Sequence, residues 1–453
     1  MNYTRENIPV NNEYDVIIAG GGTAGAVAGI SAARMGLKTL IIERLYTLGG
    51  SQTLGLVMPL MPSHVPDDKS CSAIHSELVN KMHALGHASA STQNEGSWFD
   101  PLFMRIILEE TACDSGCHML YNTSIIDVVK ENDKIKQLIV HNKGGIMAYQ
   151  AKCFIDCSGD ADVAYLSGVQ CHSGNDEGYN QAISLRFEMS DVNIEKLGEF
   201  IRKCGQTEKE ASRYPGVTSD CSDAPGLWDF ICKKKDEGEL TAQDIRHFQM
   251  FSVPGKPGNV NFNSPELGNS KNVIDPQFLT EKQIEAHKAI RRIAEFCKKN
   301  IPGFEKAYIS EIAGLMGIRE TRRIEAEYML KCTDVWEYKK FSDGIATSNY
   351  PLDVHGATEN YRKSYKDTSE EEKYYEISYR SLVPVGISNL LVAGRCLGAD
   401  FLAQSTARVQ HSSRAMGEAC GIAAKLLIDE NLSFKDVNGE KVREIMAERL
   451  AKM

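Results

Sequence analysis

The run Tyr14-Asp-Val-Ile-Ile-Ala19 is short, apolar and rich in β-branched residues, and it passes without a spacer into Gly20-Gly-Gly-Thr-Ala-Gly25. A run of this kind bounded by glycines predicts a buried strand. Small residues continue from Ala26 to Met35, predicting a closely packing helix that Gly36 ends, and Thr39-Leu-Ile-Ile42 predicts a second strand closing at Glu43. Together these make one strand–helix–strand unit of about 30 residues. Residues 136–140 and 146–158 predict paired strands around the turn Asn142-Lys-Gly-Gly145, and the stretch Lys152 to Asp156 runs into Cys157-Ser-Gly-Asp160-Ala-Asp162. Near the C-terminus, Asn389-Leu-Leu-Val-Ala393 predicts another buried strand, meeting Gly394-Arg-Cys-Leu-Gly398, with a long helix from about Ser405 to Ile428. The middle of the chain reads differently. Pro254 to Pro276 is rich in Gly, Pro and Asn, and Arg362 to Lys373 is a charged run. Thr280 to Lys299 keeps a helical period, with Ile284, Ile290, Ile293, Ala294 and Cys297 apolar among charges. No internal repeat is visible.

Gly20-x-Gly22-x-x-Gly25 gives the first unit its chemistry. The glycines serve a tight turn, the close approach of a pyrophosphate and helix–strand packing, and Thr23 and Ala24 open the helix whose positive end faces the phosphates. Glu43, followed by Arg44, ends the second strand where a carboxylate accepts hydrogen bonds from a ribose diol. An acid at this position disfavours NADP. A second glycine turn, Leu48-Gly49-Gly50-Ser51-Gln52-Thr53, offers backbone donors further along, which favours FAD over NAD. The expected architecture is therefore α/β: a Rossmann-like FAD-binding domain, with a parallel sheet, helices and an antiparallel β-meander, assembled from residues 1–60, 100–165 and 381–453. Residues 61–99 and 166–380 are expected to form an inserted α+β substrate domain.

Composition narrows the function classes without adding one. The chain has 453 residues, a formal charge of −10, 42% hydrophobic and 25% charged residues, which are globular proportions. Collagen, coiled coil and small stapled scaffolds are excluded, and nothing marks a nucleic-acid partner. Thirteen cysteines include no CxxC, so neither a disulfide scaffold nor a zinc site is expected. His64, His75, His83 and His87 lie close in sequence, but only the last two would share a helix face, and no metal is expected there. The N-terminus MNYTRENIPVNNEYD is polar, and no apolar run reaches the ~18 residues of a membrane span. The expectation is a soluble, reduced, cytoplasmic protein with a small-molecule substrate and no membrane partner.

Several further blocks together with this fingerprint resemble the FAD-dependent oxidoreductase family within the glutathione-reductase-like flavoproteins. They are DCSGDADV at 156–163, GIRETRRI at 317–324, YPLDVH at 350–355, YEISYRSLVP at 375–384 and LLVAGRCLGAD at 390–400. The resemblance covers almost the whole chain in order. It implies that Gly20, Gly22 and Gly25 hold the pyrophosphate, Glu43 the ribose, and Gly49, Gly50, Ser51 and Gln52 the ribityl chain. It also implies that backbone at Ile125 or Ile126 reaches the adenine, that Ser158, Gly159 and Asp160 close the pocket, and that Gly394 and Arg395 flank the flavin end. Gly394-Arg395 replaces the Gly-Asp of many aromatic hydroxylases, which puts a peroxyflavin monooxygenase role in doubt, and the halogenase tryptophan signature is missing. There is no CxxxxC after the first unit and no second GxGxxG, so reducing equivalents are expected to enter from the substrate itself, from a separate partner or from a nicotinamide docking transiently, with a separate electron donor or acceptor as a possible partner.

Three residues are the candidate catalytic groups. His355 can take the proton of a CH–OH or CH–NH group as hydride leaves, although a loop histidine held by hydrogen bonds is the commoner fate. Arg380 and Tyr379 are placed to clamp a substrate carboxylate or carbonyl or to stabilise the anionic reduced flavin. Arg319, Arg322 and Arg323 are expected to pair at the surface with Glu320 or Glu325. Cys396 reads either as a site of covalent FAD attachment or as a small residue packed under the ring. Oxidation of CH–OH or CH–NH is the favoured activity. Reduction of an activated C=C bond and a flavin-binding relay subunit of a larger complex are the alternatives.

Overall fold

The computed structural model describes residues 7–61, 72–89, 97–206, 218–220, 224–356 and 373–452. The chain first runs through strand Val16–Ala19 (β1), helix Thr23–Arg34 (α1), strand Thr39–Ile42 (β2), helices Ala73–Ala84 (α2) and Pro101–Asp114 (α3), and strand His118–Leu120 (β3). Antiparallel strands Ser124–Glu131 (β4), Lys134–Asn142 (β5) and Gly145–Tyr149 (β6) precede Cys153–Asp156 (β7). After these come Phe187–Ser190 (β8), Gln249–Ser252 (β9), Val260–Phe262 (β10), helix Pro276–Asn300 (α4) and Tyr308–Ile312 (β11). The chain ends with Leu390–Val392 (β12) and helices Phe401–Ala407 (α5) and Gln410–Glu430 (α6), the last followed by a short helix Gly439–Leu450.

Five strands form a parallel sheet in the order β12-β7-β1-β2-β3, with Val16 opposite both Thr39 and Cys153. Both faces of this sheet are covered, which is why β1 is apolar without alternation and fully buried. Helix α1 lies against α6 at unusually short range. A Cβ added to Gly417 would stand 2.2 Å from the Ala24 carbonyl oxygen, and one added to Gly421 would stand 2.6 Å from Ser31 Cβ. The second sheet is antiparallel, in the order Thr218–Asp220, β9, β10, β8, β11, and packs on α4.

Four sequence expectations change. The predicted strand 146–158 is two strands: β6 stays in the antiparallel sheet, while β7 enters the parallel one beside β1. The long C-terminal helix is interrupted at Arg408 and Val409, where the Val409 backbone is extended (φ −65°, ψ 159°), and beside the break the Arg408 guanidinium donates to the Asp353 carbonyl and to its Oδ2, each at 3.0 Å. In α4 the expected apolar face is buried except Ile284, which is 52% exposed. Finally, the 61–99 segment contributes Ile74, Leu78 and Met82 of α2 to the core under the parallel sheet. Most of the charged run 362–373 lies outside the described residues.

Candidate active site

One cavity of about 470 Å³ opens between the C-terminal ends of the parallel strands and the second sheet. Its first wall is the glycine turn between β1 and α1. Gly20 has φ +94°, and a Cβ there would stand 2.7 Å from the Cys157 carbonyl oxygen. At Gly25 a Cβ would fall 1.9 Å from the Gly20 carbonyl oxygen. Both positions therefore require glycine, one for backbone conformation and one for packing. Gly22 is different: its nearest neighbour would be Cys157 O at 3.9 Å, and the open side is the cavity. Thr23 and Ala24, in the first turn of α1, line the same wall, where a helix has backbone N–H groups without intrahelical partners.

Glu43 and Arg44 continue the wall at the end of β2. The Glu43 carboxylate is buried and accepts from Gly21 N at 2.6 Å and from Leu45 N at 2.8 Å. A carboxylate has about four acceptor positions, so two remain for a ribose diol. Backbone bonds from Thr123 N to Glu43 O (3.0 Å) and from Asn122 N to Leu45 O (2.9 Å) fasten the start of β4 beside this acid. Ile125 and Ile126 are on that strand, but neither lines the cavity, and Ile126 is 45% exposed.

The second glycine turn divides. Gly50 and Ser51 face the cavity, and Gly49 N ties the turn to Gly21 O at 2.8 Å. Gln52 turns away: it is buried, and its Oε1 accepts from Arg414 Nη2 at 2.6 Å. Ser158, Gly159 and Asp160 close the opposite side. Arg395 lines the cavity, but its guanidinium is committed to structure, donating to Gly159 O at 2.6 Å, Asp160 Oδ1 at 2.6 Å and the Ile318 carbonyl. It fastens the 158–160 turn to the segment before Arg322–Ile324. Behind this turn Asp156 is wholly buried; burial raises its carboxyl to about 6 against hydrogen bonds from Ala164 and Ser158. Gly394 completes this end, together with Arg408, Val409, Gln410 and Ser413 at the α5–α6 break, four residues that sequence reasoning missed.

The far wall is polar and comes from the second sheet and the 350–355 loop. His355 Nδ1 stands 2.7 Å from Glu266 Oε2, and its Nε2 stands 3.0 Å from Asp353 Oδ1. The His247 ring meets it edge to face at 5.5 Å. Burial would raise the Glu266 carboxyl, but the His355 hydrogen bond and the charges of Arg319 and His247 outweigh it and hold it near about 2. The same contest, won by His355, Arg408 and Arg319, keeps Asp353 far below the carboxylate range. Arg186 and Arg319 line the cavity beside them. Asp353 was legible in the block that supplied His355; Arg186 and Glu266 carried no sequence signal.

Two candidate catalytic residues lie elsewhere. Arg380 is 51% exposed, pairs with Asp343 at 2.9 Å and rests on the Tyr328 ring at 5.3 Å, so its charge is spent outside the cavity. Tyr379 is buried in the core, and its hydroxyl donates to Phe434 O at 3.0 Å. The arginines at 322 and 323 do not pair at the surface as expected. Arg323 and Glu320 form a buried pair at 3.2 Å, and Arg322 reaches Asp162 at 3.1 Å. Cys396 is buried with its Sγ toward Ala393 O, and burial raises its thiol well above the ordinary value. Among the described residues no group of three metal-ligating side chains occurs, and no helix is long and apolar enough to cross a membrane; His64 lies outside them.

A parallel sheet whose first turn leaves open space at Gly22, with a buried acid at the end of the next strand, defines a dinucleotide-binding fold. The family model for FAD dependent oxidoreductases matches residues 15–446, so the chain belongs to that family. Among curated relatives it is similar to thiamine thiazole synthase of Methanococcus aeolicus, 30% identical over 164 residues, covering 34% of this chain and 58% of the relative. It is also similar to dihydrolipoyl dehydrogenase of Trypanosoma brucei brucei, 49% identical over 47 residues, 10% of each chain. The chain thus spans little more than half of the first relative and a tenth of the second. Among solved structures, p-nitrophenol 4-monooxygenase PnpA of Pseudomonas putida matches with TM-score 0.50 at 10% identity, over 97% of this chain and 86% of that one. The flavin-dependent brominase Bmp2 matches with TM-score 0.50 at 13% identity, over 96% and 84%. At such identities the likeness is one of fold.

Proposed function

We propose that the protein oxidises a CH–OH or CH–NH group of a small polar substrate held in the 470 Å³ cavity, with His355 receiving the proton. The observation that carries this reading is His355 set between Asp353 and Glu266 in the wall facing the glycine cradle. In this reading Gly20, Gly22, Thr23, Ala24 and Gly25 receive the pyrophosphate, Glu43 the ribose, and Gly50, Ser51, Ser158, Gly159, Asp160 and Gly394 the rest of the cofactor. FAD supplies hydride acceptance; the protein supplies orientation, charge and a place for the proton. Both ring nitrogens meet carboxylates, so to receive a proton the ring must be neutral when substrate binds and must open one of these contacts toward the substrate; the proton is then held between Glu266 and Asp353. Arg408, donating to Asp353, holds that carboxylate in place. Reoxidation by a separate acceptor in the cytoplasm belongs to the same proposal.

The test is anaerobic mixing of the FAD-loaded protein with hydroxy acids, polyols and amines, following loss of flavin absorbance. His355→Gln should slow reduction by the productive substrate about 100-fold or more, the usual scale for a lost general base. An unchanged reduction rate in that variant would end the role given to His355. Reoxidation of the chemically reduced protein by enoates, with no bleaching by any reductant in the panel, would reverse the direction proposed.

A further inference from the structure

We propose that the substrate carries a carboxylate and that Arg186 and Arg319 are its receptors. The inference rests on the reading of the cavity given above and names the substrate class for it. Arg186 is buried in the segment that leads into β8, 6% exposed, yet no carboxylate stands within ion-pair distance of it among the described residues. Its hydrogen bonds are neutral: Nη1 donates to Asn261 Oδ1 at 3.1 Å and more weakly to Leu56 O at 3.4 Å. The remaining nitrogens of its fork have no such bonds, and the residue lines the cavity. Arg319 lines the same wall; its Nη1 donates to the Ala182 carbonyl oxygen at 2.6 Å, and it too forms no ion pair among the described residues. The charge of Arg319 disfavours that of Arg186. Burial, with the charge of Arg319 added, draws the Arg186 guanidinium down to about 9.

The nearby anions do not resolve this. Glu266 is taken by His355, and Asp353 is shared by His355 and Arg408. Three arginines therefore face two carboxylates, and the excess positive charge is the buried, unpaired one. A buried charge is tolerated when it is paired or hydrogen-bonded to an anion. With Nη1 held by Asn261, the Nε and Nη2 edge of the planar fork is the shape that accepts a carboxylate through two parallel bonds. The candidate is placed, moreover, in the wall that also holds His355. An anion held by Arg186 and Arg319 presents its neighbouring carbon to the histidine side of the cavity and keeps the phosphate-binding side free for FAD. The chemical class that fits is a small 2-hydroxy or 2-amino acid, or the matching keto or imino acid as product.

The experiment titrates malonate and uncharged malonamide into the FAD-loaded protein, read by calorimetry and by the flavin difference spectrum. Arg186→Met keeps length and removes the charge; Arg319→Gln keeps a donor for Ala182. Each variant should weaken malonate at least ten-fold while leaving malonamide and FAD affinity within two-fold. Malonate binding within two-fold of the parent in both variants would overturn the proposal, as would equal weakening of malonate and malonamide. If malonate binding depends on the arginines while His355→Gln reduces its flavin normally, only the proton-acceptor reading falls. If the arginines are indifferent while His355→Gln is slow, only the carboxylate reading falls.

Discussion

Two neighbouring glycines in one turn should respond to alanine with opposite signs in stability. At Gly22 the backbone has φ −66° and ψ −162°, which alanine adopts without strain, and the new methyl would meet nothing in the protein closer than 3.9 Å. Replacing glycine by alanine at a compatible position stabilises a fold by about 0.4–1 kcal/mol by restricting the unfolded chain. The apoprotein of Gly22→Ala should therefore melt at or up to ~1 °C above the parent. The same methyl projects into the space where the pyrophosphate must approach the backbone, and overfilling a packed contact costs about 1–3 kcal/mol. At 1.4 kcal/mol per factor of ten, FAD affinity should fall roughly 5- to 150-fold. Gly25→Ala is the control. Its methyl would lie 1.9 Å from the Gly20 oxygen and 3.0 Å from Cys157 Cβ, so the turn and α1 must separate by more than 1 Å, and both melting temperature and FAD affinity should fall. The assay is a thermal melt of each apoprotein and a fluorescence titration of FAD. Parent-like FAD binding by Gly22→Ala would refute the assignment of this turn to the pyrophosphate. Loss of stability in Gly22→Ala would show that the turn is filled by the protein itself.

Two further outcomes follow from buried groups near the cofactor site. Asp156 has its carboxyl raised to about 6 by burial, above the ordinary value near 4, so its contribution to stability is fully present below pH ~4 and is lost as pH rises through about 6. Two pKa units correspond to about 3 kcal/mol; denaturant midpoints of Asp156→Asn and the parent should diverge in favour of the variant between pH 4 and 7, and parallel curves would contradict a burial cost. Cys396 is buried with a raised thiol pKa, so acid precipitation of the holoprotein should release all flavin into the supernatant, and a yellow pellet would restore covalent attachment.

Local signals carried the cofactor half of the molecule. From Tyr14 to Glu43 every element is specified by its own residues: a doubly buried strand is continuously apolar, the turn needs its glycines, and the helix needs small side chains. The substrate half is written in another way. In the stretch Leu185-Arg186-Phe187-Glu188-Met189-Ser190, alternation reads as a strand with one wet face, yet all six residues are buried. The polar face covers the cavity and a network in which Glu188 accepts from Asn259 at 2.5 Å and meets Lys256 at 3.3 Å. Only tertiary pairing distinguishes such a face from a solvated one. The break at Arg408 and Val409 likewise has no glycine or proline to announce it, and Arg408 bonds Asp353, more than 50 positions earlier. Arg380 and Tyr379 misled for the converse reason: their block is distinctive in sequence, but Asp343 and Phe434 claim its polar groups.

The closest contacts of α1 with α6 are made where Gly417 and Gly421 meet Ala24, Ala28 and Ser31, small side chains with little or no rotamer freedom. The pair therefore acts as a single rigid bar, with the Gly22 turn at the head of one helix and Arg408 to Gln410 at the head of the other. Neither end can be shifted without prying the bar apart at Gly417 or Gly421. Divergence toward new substrates then has one inexpensive route, through residues such as Arg186 and Arg319 that belong to other segments. Exchanging those side chains would retune what is oxidised while the seat for the cofactor stays where it is.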